Sequence, residues 1–167
     1  MLEHLRVLEV ARARMQGYNV RSVPGGFLAQ SWDRRGFHRN TFRVGSRRQP
    51  TPHEWEQLEF AWLAVKHVKS NAIVIARDFA AVGVGAGQMS RVEAAQLAVA
   101  RAGDRSEGAV MASDAFFPFV DGVAVGLKAG VTAVIQPGGS VRDREIVDAV
   151  DAAGAAMVLT SERHFLH

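Results

Sequence analysis

The chain has 167 residues, 48% apolar and 22% charged, with a net charge of +3, a balance ordinary for a soluble globular domain with a real core. It has no cysteine, which excludes disulfides and a thiolate metal site, and no apolar run approaches the length of a membrane span. Glu3 and Glu9 interrupt the N-terminus "MLEHLRVLEV", which excludes a signal peptide and leaves a cytoplasmic protein with no membrane partner as the simplest reading.

Leu5 to Val10 reads as a short strand. Pro24-Gly25-Gly26 is a turn, and Phe27 to Ser31 reads as a strand after it. Residues 32–50 are polar and rich in arginine, with Phe42 and Val44 in a short edge strand. Thr51, Pro52 and Glu54 then form the start signal of a helix over about 52–68, carried by Trp55, Leu58, Trp62 and Val65 at helical spacing. Residues 71–76 and 80–86 are two strands joined by a turn at Arg77-Asp78, a hairpin. Ser90 and Glu93 open a helix that stops at Gly103. "GAVMASD" is a strand, and Asp121 caps a short helix ending near Gly130. "VTAVIQ" is a strand, Ser140 caps a helix to about Ala153 with Asp143 at the box position, and "AAMVLT" is the last strand. The alternation predicts α/β layering over one mixed sheet in a single domain, residues 1–167, with a strand- and loop-rich part at 1–50 and an α/β core at 51–167.

Ligand-binding groups in such sheets collect in strand-end loops beside helix N-termini. "GVGAGQMSR" holds Gly83, Gly85 and Gly87 before a helix. Its glycines either free backbone N–H groups to seat an anion or let a helix pack tightly on a strand. The spacing is not that of the dinucleotide fingerprint. "SDAFFPFVDG" crowds Phe116, Phe117 and Phe119 between Asp114 and Asp121 with no clean strand or helix period. Such a run suits either a core corner or a pocket for a flat heteroaromatic ligand, with apolar faces and an edge carboxylate. Arg34, Arg35, Arg39, Arg43, Arg47 and Arg48 form a local concentration of charge. Without interleaved aromatic residues it reads as a solvated face, and nucleic acid is an unlikely partner.

Five segments in order, "KHVKSNAIV", "GVGAGQMSRVE", "ASDAFFPF", "AGVTAVIQPGGSVRD" and "AMVLTSERHFLH", resemble the C-terminal part of 5-aminoimidazole-4-carboxamide ribonucleotide (AICAR) formyltransferase. "LRVLEV" and "RSVPGGFLAQ" fit the same family, with residues 32–50 the loosest part. In purine biosynthesis this activity is usually fused to inosine monophosphate (IMP) cyclohydrolase. The resemblance implies the second of two cytidine-deaminase-like subdomains, a three-layer α/β/α sandwich with a mixed sheet. The deaminase zinc signature is missing, since there is no cysteine and no H-x-E.

The activity so implied is transfer of a formyl group from 10-formyltetrahydrofolate, a co-substrate, to the 5-amino group of AICAR. The resemblance assigns Asn71 to orientation of the formyl group and His167 to the vicinity of the active centre. It assigns Ser90 and Arg91 to nucleotide and folate contacts, and Phe116, Pro118 and Phe119 to the pocket wall. The resemblance also implies that Asp121 holds the pterin edge, that Arg163 holds phosphate, and that a monovalent cation, potassium, lies near Ser70 and Asp114.

Lys66-His67 looks like the family's catalytic lysine–histidine pair, but that pair belongs to the first subdomain. Here the two residues end a helix. The expected partners are AICAR and folate, the missing N-terminal transferase subdomain, the cyclohydrolase domain, and a second copy in a homodimer. Without the catalytic pair the chain is expected to be incomplete and inactive alone. The alternative is a non-catalytic folate- or nucleotide-binding or structural module. Ser161-Glu162 and Leu166 also replace the family's more usual glycine and basic residues, and an acid beside Arg163 weakens attraction for phosphate.

Overall fold

The structure, a computed structural model, describes residues 8–9 and 17–166. Of the strand expected at Leu5 to Val10 only Leu8 and Glu9 are described, both exposed and in no strand, and the terminal His167 lies outside the described residues. The chain divides into two compact units between Arg35 and Gly36. The first contains an antiparallel hairpin of β1 (Tyr18–Val23) and β2 (Gly26–Ser31). Pro24 and Gly25 make its turn, and Gly25 takes a φ of 83° that a side chain would resist.

The second unit is built on a six-stranded mixed sheet. Its strands are β3 (Arg43–Val44), β4 (Ile73–Arg77), β5 (Ala80–Gly85), β6 (Val110–Ser113), β7 (Ala133–Gln136) and β8 (Ala156–Leu159), in the order β3-β8-β7-β6-β4-β5. The pairs β6–β7 and β7–β8 are parallel; β3–β8, β4–β6 and β4–β5 are antiparallel. The four helices are α1 (Pro52–Val65), α2 (Arg91–Ala102), α3 (Val120–Lys128) and α4 (Asp143–Ala152). The edge strand expected at Phe42 and Val44 is β3, so part of the stretch 32–50 belongs to the main sheet rather than to the N-terminal hairpin.

Period-2 alternation sends each strand's side chains to two cores. Ala72, Val74, Ala76, Ala112, Ala133 and Ala156 face α1, where Trp55, Leu58 and Trp62 bury their bulk. Small residues on the sheet make the room those indoles need. Ile73, Ile75, Met111, Val134 and Met157 face the opposite layer, with Ala94, Ala95 and Ala98 of α2, Val123 of α3, and Ile146 and Val150 of α4. A helical layer therefore covers each face of the sheet.

Both predicted capping boxes form: Thr51 with Glu54 at α1, and Ser90 with Glu93 at α2. The other two expected caps are corrected. Asp121 lies inside the first turn of α3, whose N-cap is Phe119, and its Oδ1 accepts the Gly122 N–H at 2.7 Å. Arg142, not Ser140, is the N-cap of α4, and Asp143 is that helix's first residue. Asp143 instead accepts N–H bonds from Gly139 and Ser140. Asp143 thus ties down the approach to its helix, whereas Asp121 bonds within the first turn of its own.

The β4–β5 hairpin turns through Asp78 and Phe79, with φ of 51° and 57°. That two-residue left-handed turn matches strand twist but is costly for a phenylalanine. Its N–H donates to Gln57 Oε1 at 2.9 Å and its ring packs edge-on against Phe60, contacts that hold the conformation.

The arginine concentration is largely spent on structure. Arg39 stacks over Trp55 at 4.3 Å, and the Arg47 N–H donates to Asp151. Arg48 donates to both oxygens of Glu54 and to the carbonyls of Thr132 and Gly154, clasping the segment after β3 to α1 and to the starts of β7 and β8. Burial pushes the Glu54 carboxyl up, but hydrogen bonds from Arg48 and the Thr51 N–H outweigh it and hold the group at about 2, against an ordinary 4.5. A group titrating lower when folded stabilises the fold above its unfolded value. That contribution is lost as pH falls from 4.5 toward about 2. Denaturant unfolding across this range should show stability dropping with acid. The drop should be smaller in Glu54→Gln, which should already be the less stable chain near neutral pH.

Candidate ligand-binding cleft

The carboxyl ends of β5, β6, β7 and β8 and the start of β4 meet at one end of the sheet, because Ile73 pairs with both Gly85 and Ser113. A cleft of about 540 Å³ opens there, a volume suited to a small organic ligand. Its lining includes Asn71, Ser90, Arg91, Phe116, Pro118, Phe119, Asp121 and Arg163. The structure thus brings together eight of the residues singled out from the sequence, drawn from four separate segments.

The aromatic run divides its labour. Phe117 is fully buried and packs in the core below the sheet end, whereas Phe116 and Phe119 are exposed into the cleft. Gln136, fully buried on β7, fixes this loop by accepting the Phe117 N–H at 2.9 Å, while its Nε2 donates to the Met157 sulfur. Arg142 stacks on Phe119 at 4.9 Å and so steadies the outer wall. Sequence reasoning missed Gln136; its one visible signal is an amide ending the otherwise apolar strand "VTAVIQ".

Beneath the cleft lies a buried polar cluster. Asp114, fully buried, accepts hydrogen bonds from Arg91, from the Ser70 hydroxyl at 2.5 Å and from the Ala72 N–H at 3.2 Å. Arg91 also donates to the Ser113 hydroxyl and, through its other terminal nitrogen, to Asn71 Oδ1 at 3.0 Å. Asn71 Nδ2 in turn donates to the carbonyls of Gln88 and Met89 at 2.9 and 3.3 Å. Ser70 and Asp114 thus meet directly, with the Ser70 hydroxyl as the donor. Among the described residues there is no group of three His, Asp or Glu side chains that could hold a metal ion.

The C-terminal tail is tied to the same sheet end. Thr160 and Ser161 N–H groups donate to Gln136 and Pro137, the His164 N–H donates to the Asp114 carbonyl, and the Ser70 N–H donates to Leu166. These bonds bring Arg163 and Phe165 to the cleft, with the Arg163 guanidinium 5.1 Å from the Phe165 ring. Lys66 is the C-cap of α1, and neither it nor His67 lines the cleft.

The glycine segment is a packing device. A Cβ at Gly83 would lie 2.1 Å from the Ala98 carbonyl, and one at Gly85 1.9 Å from that of Ala94. These two glycines let α2 lie directly on β5, the packing alternative of the two that the sequence left open. The Ser90 hydroxyl already accepts an N–H at the start of α2.

The fold and site define a three-layer α/β domain with a strand-end cleft walled by aromatic rings and edged by a carboxylate. The family model described as the AICARFT/IMPCHase bienzyme matches residues 2–101, and the chain belongs to that family. Its relatives include the bifunctional purine biosynthesis protein PurH of Shouchella clausii, 50% identical over 99% of this chain and 32% of that protein. The PurH of Desulfitobacterium hafniense is 49% identical over 99% of the chain and 32% of its own length. That of Anoxybacillus flavithermus is 55% identical over 89% and 29%. The chain thus spans about a third of the length of these relatives. A solved structure of Acinetobacter baumannii RibD superposes on 64% of the chain and 33% of its own, at 18% identity and a TM-score of 0.43, too low to support an argument.

If Gly85 serves packing, Gly85→Ala should force α2 off the sheet. Denaturant unfolding should show a loss of about 1–3 kcal/mol or more, since overpacking a close contact displaces backbone.

Proposed function

We propose that this chain supplies the folate-binding side of an AICAR formyltransferase, in a fold of the cytidine-deaminase-like kind that works without zinc. The observation carrying this reading is the convergence of Asn71, Asp121 and the rings of Phe116 and Phe119 on one cleft. Flat apolar walls suit a pteridine, and a carboxylate at the rim accepts paired N–H donors from its edge. One Asp121 oxygen is bonded to the Gly122 N–H, which fixes the carboxylate while the second oxygen stands outside that bond.

In the proposed reaction the 5-amino nitrogen of AICAR bonds to the formyl carbon. The bond from that carbon to the folate nitrogen breaks, and the amine's proton passes to the folate. Asn71 would donate an N–H to the formyl oxygen as negative charge gathers there. Its longer bond, to the Met89 carbonyl at 3.3 Å, is the one a ligand carbonyl would replace. Ser90, Pro118 and Arg91 shape the adjoining wall, and Arg163 meets the ribotide phosphate. His167 would complete the site from the chain end. A potassium ion, as part of this proposal, would be held by carbonyls beside Ser70 and Asp114, and no step runs through it.

Among the described residues that line the cleft there is no histidine and no lysine. The relay for the amine's proton would then come from His167 at the chain end or from outside this chain. The relatives' additional length offers a source for it, together with the cyclohydrolase activity and a homodimer partner. Cytoplasmic residence belongs to the same reading, and no described helix is long and apolar enough to cross a membrane.

The chain should be incubated with AICAR and 10-formyltetrahydrofolate, with and without a polypeptide covering the remaining two thirds of a relative. Product should form only in the mixture, while calorimetry shows that the chain alone binds the folate. Neither binding nor turnover under any condition would overturn the proposal. Binding without turnover in the mixture would favour the non-catalytic module.

A further inference from the structure

We infer that Asp114 and Arg91 act together as positioning residues for Asn71, selecting which face of its side-chain amide points toward the cleft and which toward the protein. The inference rests on the proposed role of Asn71 in the paragraphs above, but its physical content can be tested without any ligand.

An asparagine amide is nearly symmetric in shape, and its last torsion is broad, so packing alone does not choose between its two flips. A neighbour that can only donate makes that choice. Arg91 carries donors and no acceptor, so only Oδ1 of Asn71 can face it, at 3.0 Å. The Nδ2 group is then turned to the carbonyls of Gln88 and Met89, which can only accept. Arg91 is itself aimed by a group that can only accept. The ionised Asp114 carboxylate, fully buried, takes one guanidinium nitrogen, and the planar fork carries the other to Asn71. Ser70 and the Ala72 N–H fix Asp114 in turn.

The chain of groups thus reads acceptor, donor, amide, acceptor, and each member allows one orientation of the next. The Arg91 side chain is 7% exposed and its charge is balanced by Asp114 at contact distance. It therefore serves as a ruler for Asn71 more than as a free cation for an anionic ligand.

Lysine separates this role from simple charge balance. A lysine at 91 could neutralise Asp114, but its single ammonium cannot also span to Asn71. The test is nuclear magnetic resonance of the whole, ligand-free chain labelled with nitrogen-15, with the Asn71 side-chain amide identified by its loss in Asn71→Ala. In the wild-type chain that amide pair should exchange with solvent slowly, unlike exposed asparagines. In Arg91→Lys it should exchange about tenfold faster, the equilibrium value of one hydrogen bond to a charged group, while the backbone signals of the core strands keep their dispersion.

Asp114→Asn should release the amide in the same way. If that variant fails to fold, Arg91→Lys alone decides. An Asn71 pair that is unprotected in the wild type, or unchanged in Arg91→Lys, overturns the inference. Absence of formyl transfer in the reconstituted wild-type enzyme, with the amide behaving as predicted, would count against the formyl-transfer reading and leave the positioning intact.

Discussion

The buried carboxylate of Asp114 is the constraint on which the rest of this molecule turns. Asp114 sits just past the end of β6 and, through its carboxylate and its backbone carbonyl, gathers three pieces of chain that are remote in sequence. The Ser70 hydroxyl and Ala72 N–H come from the approach to β4, Arg91 from the first turn of α2, and the His164 N–H, through the Asp114 carbonyl, from the tail. An ionised group out of water is tolerable only when paired and fully hydrogen-bonded, and removing one partner of such a pair typically costs about 3–5 kcal/mol. The same bonds that satisfy Asp114 set the floor of the cleft. Stability and site geometry are therefore one problem here.

Around that node the two faces of the sheet solve opposite packing problems. Toward α1 the strands offer several alanines, against which two tryptophans pack. Toward α2 the edge strand gives up side chains altogether at Gly83 and Gly85, so helix backbone rests almost on strand backbone. That close approach brings the start of α2, and with it Arg91, within reach of both Asp114 and Asn71. The aromatic run after β6 then needs one buried ring, Phe117, to anchor two exposed ones, with Gln136 holding the backbone between them.

Much of this was legible in the sequence where a local signal has one physical meaning. The two capping boxes, the β4–β5 hairpin and the apolar strands of the core sheet follow from spacing alone, and these formed. The expected caps at Asp121 and Ser140 did not form. A polar residue near a helix start looks the same whether it serves the first turn or the bend before it. The glycine segment was ambiguous for a related reason, because a missing side chain can admit either a ligand or a helix. Gln136, the Arg48–Glu54 clasp and the binding of the tail to the sheet end were illegible, since each joins residues that only the fold makes neighbours. The cleft residues themselves were named from resemblance, and the coordinates give them a common location that spacing could not.

The central claim is that the cleft lined by Asn71 and Arg91 and walled by Phe116 and Phe119 receives a flat ligand. The most direct measurement is a titration of the labelled whole chain with tetrahydrofolate, following backbone and side-chain amide signals. The account predicts shifts confined to the loops bearing Asn71, Ser90, Phe116, Asp121 and Arg163. Shifts centred on the opposite end of the sheet, near Arg48 and Thr132, or none at saturating ligand, would contradict it.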